Sequence, residues 1–262
     1  SIARVEARGP VGSFRRSLRE EASTRWGVAP TLAEALFVLP FVGAVLVVAS
    51  RADKSLFRAI ADEDRLLEWL QFVGFAAASL FALVCAWRLR KAGRPLPALA
   101  YLLFGLGCFF IAGEEIAWGQ RIIGFGTPET LEEINEQEEV TIHNINSVQN
   151  AGNAFFLLVG LYGSVGVWLI RWRLRGRSRD IVDLLVPPLF LTSAFFVIFA
   201  YKFLRATAFP ESGFTITQIG EWPELCLAFG FSAFAFLQWL RLSEWRRVTS
   251  VQGPTPKTRI TP

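Results

Sequence analysis

The chain of 262 residues contains a single histidine, His143, and three cysteines, none of them in a CxxC pair. One histidine excludes the HExxH motif and every metal site built from several histidines. The sequence also lacks a GxSxG motif, a P-loop and a dinucleotide fingerprint after a strand, which excludes the enzyme classes that those motifs define. We interpret Cys85, Cys108 and Cys226 as small buried residues, because each falls inside an apolar segment.

Apolar residues are abundant instead. They make up 52% of the chain, with 24 Phe and 9 Trp, and the mean hydropathy is +0.38. Several runs have the length of about 18 residues or more that crosses the hydrocarbon layer. Backbone groups have no water partner in lipid, so each run should be helical. We therefore expect an all-α, polytopic bundle of six transmembrane helices within residues 30–248, with spans at about 32–50, 66–89, 96–113, 151–170, 181–201 and 223–240.

The charged residues predict the orientation. Twenty of the 27 Lys and Arg residues fall in the two terminal tails and in the second and fourth loops, and 16 of the 23 acids fall on the opposite side. By the positive-inside rule we expect both termini to be cytoplasmic. The net charge of +4 is then a topology signal and an attraction to anionic lipid, and we expect a lipid bilayer but no nucleic acid as a partner.

Outside the bundle we expect a basic tail over 1–29, with an amphipathic surface helix near Ser13–Arg25, and a disordered tail over 249–262. The connection Arg51–Arg65 mixes apolar and charged residues, as an interfacial helix does. In the loop between spans 3 and 4, Thr127 is suited to cap a helix over Pro128–Glu136. We expect that amphipathic helix to lie on the outer surface.

The most informative segment is Gly113–Arg121, where a run without charges ends in two carboxylates, an indole, an amide and a guanidinium. Ionisable groups at the edge of the hydrocarbon are functional candidates by default. If the helix continues, Glu114, Trp118 and Arg121 share one face. The group then either closes the helix end, with Trp118 as an interfacial anchor, or lines an outward-facing cavity. The candidate residues are Glu114, Glu115, Trp118, Gln120 and Arg121.

A second candidate is a polar stripe that enters the fourth span. His143, Asn146, Asn150 and Asn153 recur at i, i+3, i+7 and i+10, and such a stripe cannot face lipid. We expect it to face the bundle interior near Glu114 or Glu115, either for hydrogen bonding between helices or as part of a working site. Its neighbours in the same loop are Glu138 and Asn144.

The start of the sixth span brings Glu221, Trp222 and Glu224 to the same membrane level. Proline with adjacent acids is an ordinary helix start, so this group alone carries no function. The residue types of Glu114, Glu115 and His143 are compatible with a metal site. Their spacing does not establish one, and the sequence identifies neither a metal nor another cofactor.

The stretch GEEIAWGQRIIGF (113–125), followed by Thr127-Pro128-Glu129, Ile134–Gln137 and His143-Asn144, resembles an uncharacterised group of bacterial multi-pass membrane proteins. The resemblance covers about thirty residues of the chain. It implies that the Glu-Glu, Trp-Gly-Gln-Arg and His-Asn elements belong to one unit. It implies no activity and no substrate.

Three classes of function are compatible with these features. The first is a binding or accessory membrane subunit whose polar cluster orders the outer loop or contacts another membrane subunit. The second is an enzyme that acts on a lipid or lipid-linked substrate at the outer leaflet, with Glu114 or Glu115 as acid or base and His143 assisting. The third is a transporter of a cation or small polar molecule, which is the weakest because no pair of broken helices and no inverted repeat is evident.

Overall fold

A computed structural model describes residues 10–53, 55–57, 66–128, 140–141, 146–173, 179–209 and 214–251. All regular secondary structure within these residues is helical. Six helices among the described residues are long and apolar enough to cross a membrane, which confirms the expected fold class and makes the chain an integral membrane protein. The spans, numbered 1 to 6, are Pro30–Ser50, Leu66–Lys91, Pro95–Glu115, Val148–Arg171, Val182–Thr207 and Thr217–Ser243.

Two of the spans are not single α-helices. Span 4 consists of Asn146–Leu161, a π-helical turn Tyr162–Gly166 and Val167–Arg173. Span 5 consists of Arg179–Leu185, a 3-10 turn and Thr192–Thr207. Shorter helices precede span 1 and follow span 3, and Phe214–Ile219 leads into the last helix, Glu221–Val251.

The spans alternate in direction and create two chemically distinct ends. Arg25, before span 1, and Arg241, late in span 6, both contact the Asp183 carboxylate at 3.4 Å, so the chain enters and leaves the bundle at the same end. We call this the arginine end. The opposite end, where Glu114, Glu221 and Glu224 lie, is the carboxylate end.

The packing order differs from the order along the chain. Span 3 packs mainly against span 2, span 2 against span 6, span 6 against span 5 and span 5 against span 4, while span 1 lies against spans 5 and 6. Glycines allow the closest approach: a Cβ on Gly163 of span 4 would lie 2.3 Å from the Phe195 ring of span 5. Spans 3 and 4 therefore lie at opposite ends of the row, although they are consecutive.

Aromatic rings join the middle of the row. The Phe231 ring of span 6 lies 4.9 Å from that of Phe104 in span 3, 5.7 Å from Phe195 in span 5 and 6.3 Å from Phe75 in span 2, measured between centroids. Such offset and edge-on ring pairs add to the burial of apolar area. Four of the six spans thus share one aromatic core.

The N-terminal helix Pro10–Arg25 is part of the bundle. Leu18 and Ala22 are buried in the same core cluster as Phe190 and Leu191 of span 5. Glu21 accepts two hydrogen bonds from Arg171 of span 4, at 2.6 and 2.7 Å. The expectation of a helix near Ser13–Arg25 is confirmed, but residues 10–25 pack against the spans rather than forming a free basic tail.

Span 5 is interrupted where two prolines follow each other. A proline has no N–H and fixes its own φ, so Pro187 and Pro188 cannot continue the helix. The helix Arg179–Leu185 ends there, Pro188 is extended (φ −64°, ψ 155°), and the chain turns into the 3-10 segment Leu189–Leu191. The structure therefore shows a complete break in span 5 and not only a kink.

The break leaves backbone carbonyls without their usual donors, because the N–H groups that would bind the Asp183 and Leu184 oxygens are missing. Side chains from three other spans supply the donors. The bonds run from Gln238 Nε2 to Asp183 O, from Tyr101 Oη to Leu184 O (2.6 Å), from Tyr162 Oη to Leu185 O (2.7 Å) and from Arg171 Nη2 to Pro187 O (2.9 Å). Four carbonyls at the broken end of span 5 are thus capped from spans 3, 4 and 6.

Several expected segments lie largely outside the described residues. The outer-surface helix Pro128–Glu136 cannot be compared beyond its first residue. In the connection Arg51–Arg65, Ser55–Phe57 are helical and Phe57 packs with Val47. The last helix continues to Val251, so the predicted disordered tail 249–262 begins with three helical residues, and residues 252–262 are not described.

The capped break predicts a stability difference between two tyrosines. Tyr101 is 2% exposed, so Tyr101→Phe leaves the Leu184 carbonyl buried without a donor and should lower the free energy of unfolding by about 1–3 kcal/mol. Tyr162 is 42% exposed, and Tyr162→Phe should cost less. Denaturant titration of both variants in detergent checks this, and equal losses would contradict the proposed role of burial.

Candidate functional site at the carboxylate end

Span 3 ends in an unusual left-handed turn. Its α-helix stops at Glu115, and then Ala117 (φ 47°), Trp118 (φ 52°) and Gly119 (φ 92°) all have positive φ. This conformation costs roughly 1–2 kcal/mol for each residue other than glycine. The helix does not continue through Arg121, so the condition under which Glu114, Trp118 and Arg121 would share one helix face is not met.

The turn folds Trp118 back onto the helix that it ends. Trp118 Nε1 donates a hydrogen bond of 2.5 Å to Oε1 of the buried Glu114, and the indole packs against Phe109 and Phe110. The ring lies over Gly113, where a Cβ would be 2.9 Å from ring atoms. Glu114 and Trp118 therefore meet through a reversal of the chain.

Gln120 holds the loop that follows. Its Nε2 donates to Thr127 Oγ1 and its Oε1 accepts from Val140 N, both at 2.8 Å. One side chain thus joins two points that are 13 residues apart. Asn146, the first residue of the helix of span 4, comes five residues after Thr141, a reach of at most about 18 Å. The end of span 3 and the start of span 4 are thereby tethered although the helices are separated in the row.

A second polar cluster lies between spans 4, 5 and 6. Lys202 Nζ donates to Asn153 Oδ1 and to Glu224 Oε1, both at 2.8 Å. The Lys202 side chain is 10% exposed and that of Glu224 is 23% exposed. The Lys202 ammonium also lies 5.3 Å from the Phe156 ring. A largely buried lysine is thus held by an amide, a carboxylate and an aromatic ring.

Glu221 belongs to the same end but has a different partner. Gln71 Nε2 of span 2 donates to the Glu221 backbone oxygen at 3.0 Å and to its carboxylate at 2.9 Å. Trp222 turns away, donating from Nε1 to Pro40 O at 2.9 Å in span 1. Its ring fills the space that a side chain at Gly43 would need. Trp222 is thus a packing residue between spans 1 and 6.

The polar stripe of span 4 does not behave as one unit. Asn150 is exposed, which contradicts the expectation that the whole stripe faces the interior. Asn153 faces inward, but its hydrogen bond goes to Lys202. Glu115 is partly buried, on the span 3 face of Phe104 and Ile111. The other predicted site residues or side chains lie outside the description: His143, Asn144 and Glu138, and the side chains of Arg121 and Asn146.

Sequence reasoning missed Lys202 and Gln71 as site residues. The signal was present, because each is a polar residue within an apolar run, and intramembrane ionisable residues are functional candidates. Lys202 lies within span 5 and Gln71 one turn after Glu68 in span 2. What the sequence could not indicate is that the two meet the acids of span 6.

The described residues contain no group of three or more His, Cys, Asp or Glu side chains that could hold a metal ion. The hypothetical metal site of Glu114, Glu115 and His143 stays untested, because His143 is not among them. Comparison of the chain with family models, with curated proteins and with solved structures finds no match. The class of the protein therefore follows from its own geometry, which is that of a six-span integral membrane protein with a polar, tethered end.

The folded-back indole predicts a contrast between two glycines of span 3. Gly113→Ala places a methyl group 2.9 Å from the Trp118 ring, so the indole must move and the protein should be destabilised. At Gly107, on the same helix, nothing lies within 4 Å of a built Cβ. Gly107→Ala should therefore be neutral or stabilising by up to about 1 kcal/mol. Thermal unfolding of both variants checks this, and equal behaviour would contradict the described position of Trp118.

Proposed function

We propose that the protein is a binding or accessory subunit of a bacterial inner membrane that presents an acidic loop at the outer face. The observation that carries this proposal is the pair of hydrogen bonds from Gln120 to Thr127 and Val140. A strained turn and a buried carboxylate position the residue that makes these bonds. Strained backbone conformations of this kind persist only where the surrounding structure enforces them, and they cluster at functional sites.

The charge of the loop indicates the kind of partner. Residues 121–149 contain six glutamates and one arginine. Tethered at Gln120, this segment would offer an electronegative surface to a basic patch on another membrane subunit or on a protein outside the membrane, with complementary charge guiding the encounter. The residues that we assign to this surface are Trp118, Arg121, Glu138 and Asn144.

The orientation rests on the distribution of basic residues. Twenty of 27 belong to the segments at the arginine end, and the described acids Glu21, Glu34 and Asp183 at that end all have arginine partners. The positive-inside rule then assigns the arginine end to the cytoplasm and the carboxylate end to the outer face. Both termini are cytoplasmic in this orientation.

Two observations favour a binding subunit over the other classes. An enzyme with Glu114 as acid or base needs that carboxyl group free to exchange a proton with a substrate, but one of its oxygens accepts the Trp118 N–H. A transporter built on a broken helix uses the freed carbonyls to bind ions. In span 5 side chains occupy the carbonyls of the break.

Cysteine labelling tests the orientation. With Cys85, Cys108 and Cys226 buried, a membrane-impermeant maleimide added to intact cells should label Glu132→Cys and spare Arg175→Cys. The reason is that the two positions belong to loops on opposite sides. Labelling at position 175 alone would reverse the assignment.

Site-specific photocrosslinking tests the binding role. A benzophenone side chain at Glu132 should crosslink to a protein partner in cells, and Gln120→Ala should reduce the adduct several-fold, because the loop loses its tether. The same group at Leu103, an exposed apolar residue of span 3, should give no protein adduct and serves as the control. Equal adduct formation with and without Gln120 would show that the tether does not position a binding surface.

A further inference from the structure

Exposed apolar side chains continue beyond the end of span 3. Ile122 is 61% exposed, Ile123 is 77% exposed and Phe125 is 41% exposed. They follow Trp118, which is itself 41% exposed, and all four residues come after Glu115, the last residue of the α-helix of the span. Exposed apolar residues that cluster in this way indicate a contact surface.

The first two of these side chains lie on a short element of their own. The segment Gln120–Ile123 forms a single α-helical turn between two glycines in the left-handed conformation, Gly119 (φ 92°) and Gly124 (φ 76°). Glycine adopts this conformation without the steric cost that other residues have. The Gly124 N–H closes the turn by donating to the Gln120 oxygen at 2.8 Å. The turn is therefore a defined element that is separate from the helix of span 3.

The length of span 3 sets the level of this turn relative to the membrane. The helix Pro95–Glu115 has 21 residues, which at 1.5 Å per residue reach about 30 Å, the thickness of the hydrocarbon layer. A straight continuation would lead away from the lipid. Instead the chain reverses, and the Trp118 ring lies over Gly113 and against Phe109 and Phe110. The reversal keeps the residues that follow at the edge of the hydrocarbon.

The exposed surface of the turn is continuous with the lipid-facing surface of span 3. Phe109 and Phe110 are exposed apolar residues of a membrane-spanning helix, and such residues face lipid. The indole of Trp118 packs on both rings, a position at the membrane edge that is typical of tryptophan. Ile123 Cδ1 lies 3.9 Å from a Cβ built on Gly119, the residue after Trp118. The apolar surface thus runs from span 3 through the indole to the turn.

We propose that Ile122, Ile123 and Phe125 insert into the lipid leaflet at the carboxylate end and hold the base of the acidic loop at the membrane surface. Residues 122–126 carry no charge, and the first glutamate of the loop is Glu129. A protein attracted by charge would bind the glutamates, whereas uncharged aliphatic and aromatic side chains fit the boundary between headgroups and acyl chains. This contact with lipid goes beyond the protein partner proposed for the loop and does not depend on it.

A nitroxide spin label at Ile123→Cys, in the full-length protein in nanodiscs, tests the proposal. References are Leu103→Cys on the exposed side of span 3, for lipid, and Ala92→Cys in the exposed turn between spans 2 and 3, for water. Wild type, with its cysteines buried, gives the background. Relaxation by oxygen should match position 103, and relaxation by a water-soluble nickel chelate should be about threefold lower than at position 92. Nickel relaxation equal to that at position 92, or low relaxation by both agents, as under a protein cover, would overturn the proposal.

Charged variants test whether the three side chains insert together. With the label at Phe125→Cys, the double change Ile122→Asp and Ile123→Asp should raise nickel relaxation about threefold, because carboxylates do not enter lipid readily. Val11→Asp is the matched control, since Val11 is 79% exposed but lies in the N-terminal helix, and it should leave the value at position 125 unchanged. Unchanged nickel relaxation in a folded double variant would overturn the proposal. If the double variant fails to fold, the measurement at position 123 decides alone.

Discussion

The arrangement of helices at the arginine end depends on one constraint, the two consecutive prolines Pro187 and Pro188 that interrupt span 5. They remove the donors for the Asp183 and Leu184 carbonyls, and lipid offers no replacement. The donors come from Tyr101, Gln238 and, for the carbonyls beside them, Tyr162 and Arg171. Because each bond has a fixed length and direction, spans 3, 4 and 6 are held in position around the break. The N-terminal helix joins the same arrangement through Glu21 and Arg171.

The carboxylate end is organised by a different principle. There the helix of span 3 stops in a left-handed turn, and Glu114 and Gly113 accommodate the returning indole of Trp118. Each residue type in the GEExxWGQ segment thereby has a physical role: space for a ring, an acceptor for its N–H, freedom for positive φ and an amide that ties the loop. Through Gln120 the segment also joins Thr127 to Val140, which lie at the two described ends of the loop.

The two ends also differ in how their charges are balanced. Glu21, Glu34 and Asp183 at the arginine end are each bonded to arginine, and Arg241 additionally lies 4.8 Å from the Trp26 ring. At the carboxylate end the one described ammonium, Lys202, is shared by Asn153 and Glu224, and Glu221 has an amide as its partner. The three acids of the arginine end thus have their counter-charges within the chain. The carboxylate end is therefore the end at which we expect a partner of complementary charge to bind.

The sequence alone determined the fold class and the spans, because the absence of water in lipid leaves a long apolar run no structure but a helix. It also located the break in span 5, since the missing N–H of proline is a local property. The order of the helices in the row, the left-handed turn after Glu115 and the meeting of Gln71 with Glu221 were decided by tertiary structure. From the spacing along the chain we expected Asn153 to lie near the glutamates of span 3. In the structure, close packing at Gly160 and Gly163 brings span 4 against span 5, and Asn153 accepts a hydrogen bond from Lys202. Hydrophobic periodicity reports which face of a helix is buried, and only the packing of side chains decides against which neighbour.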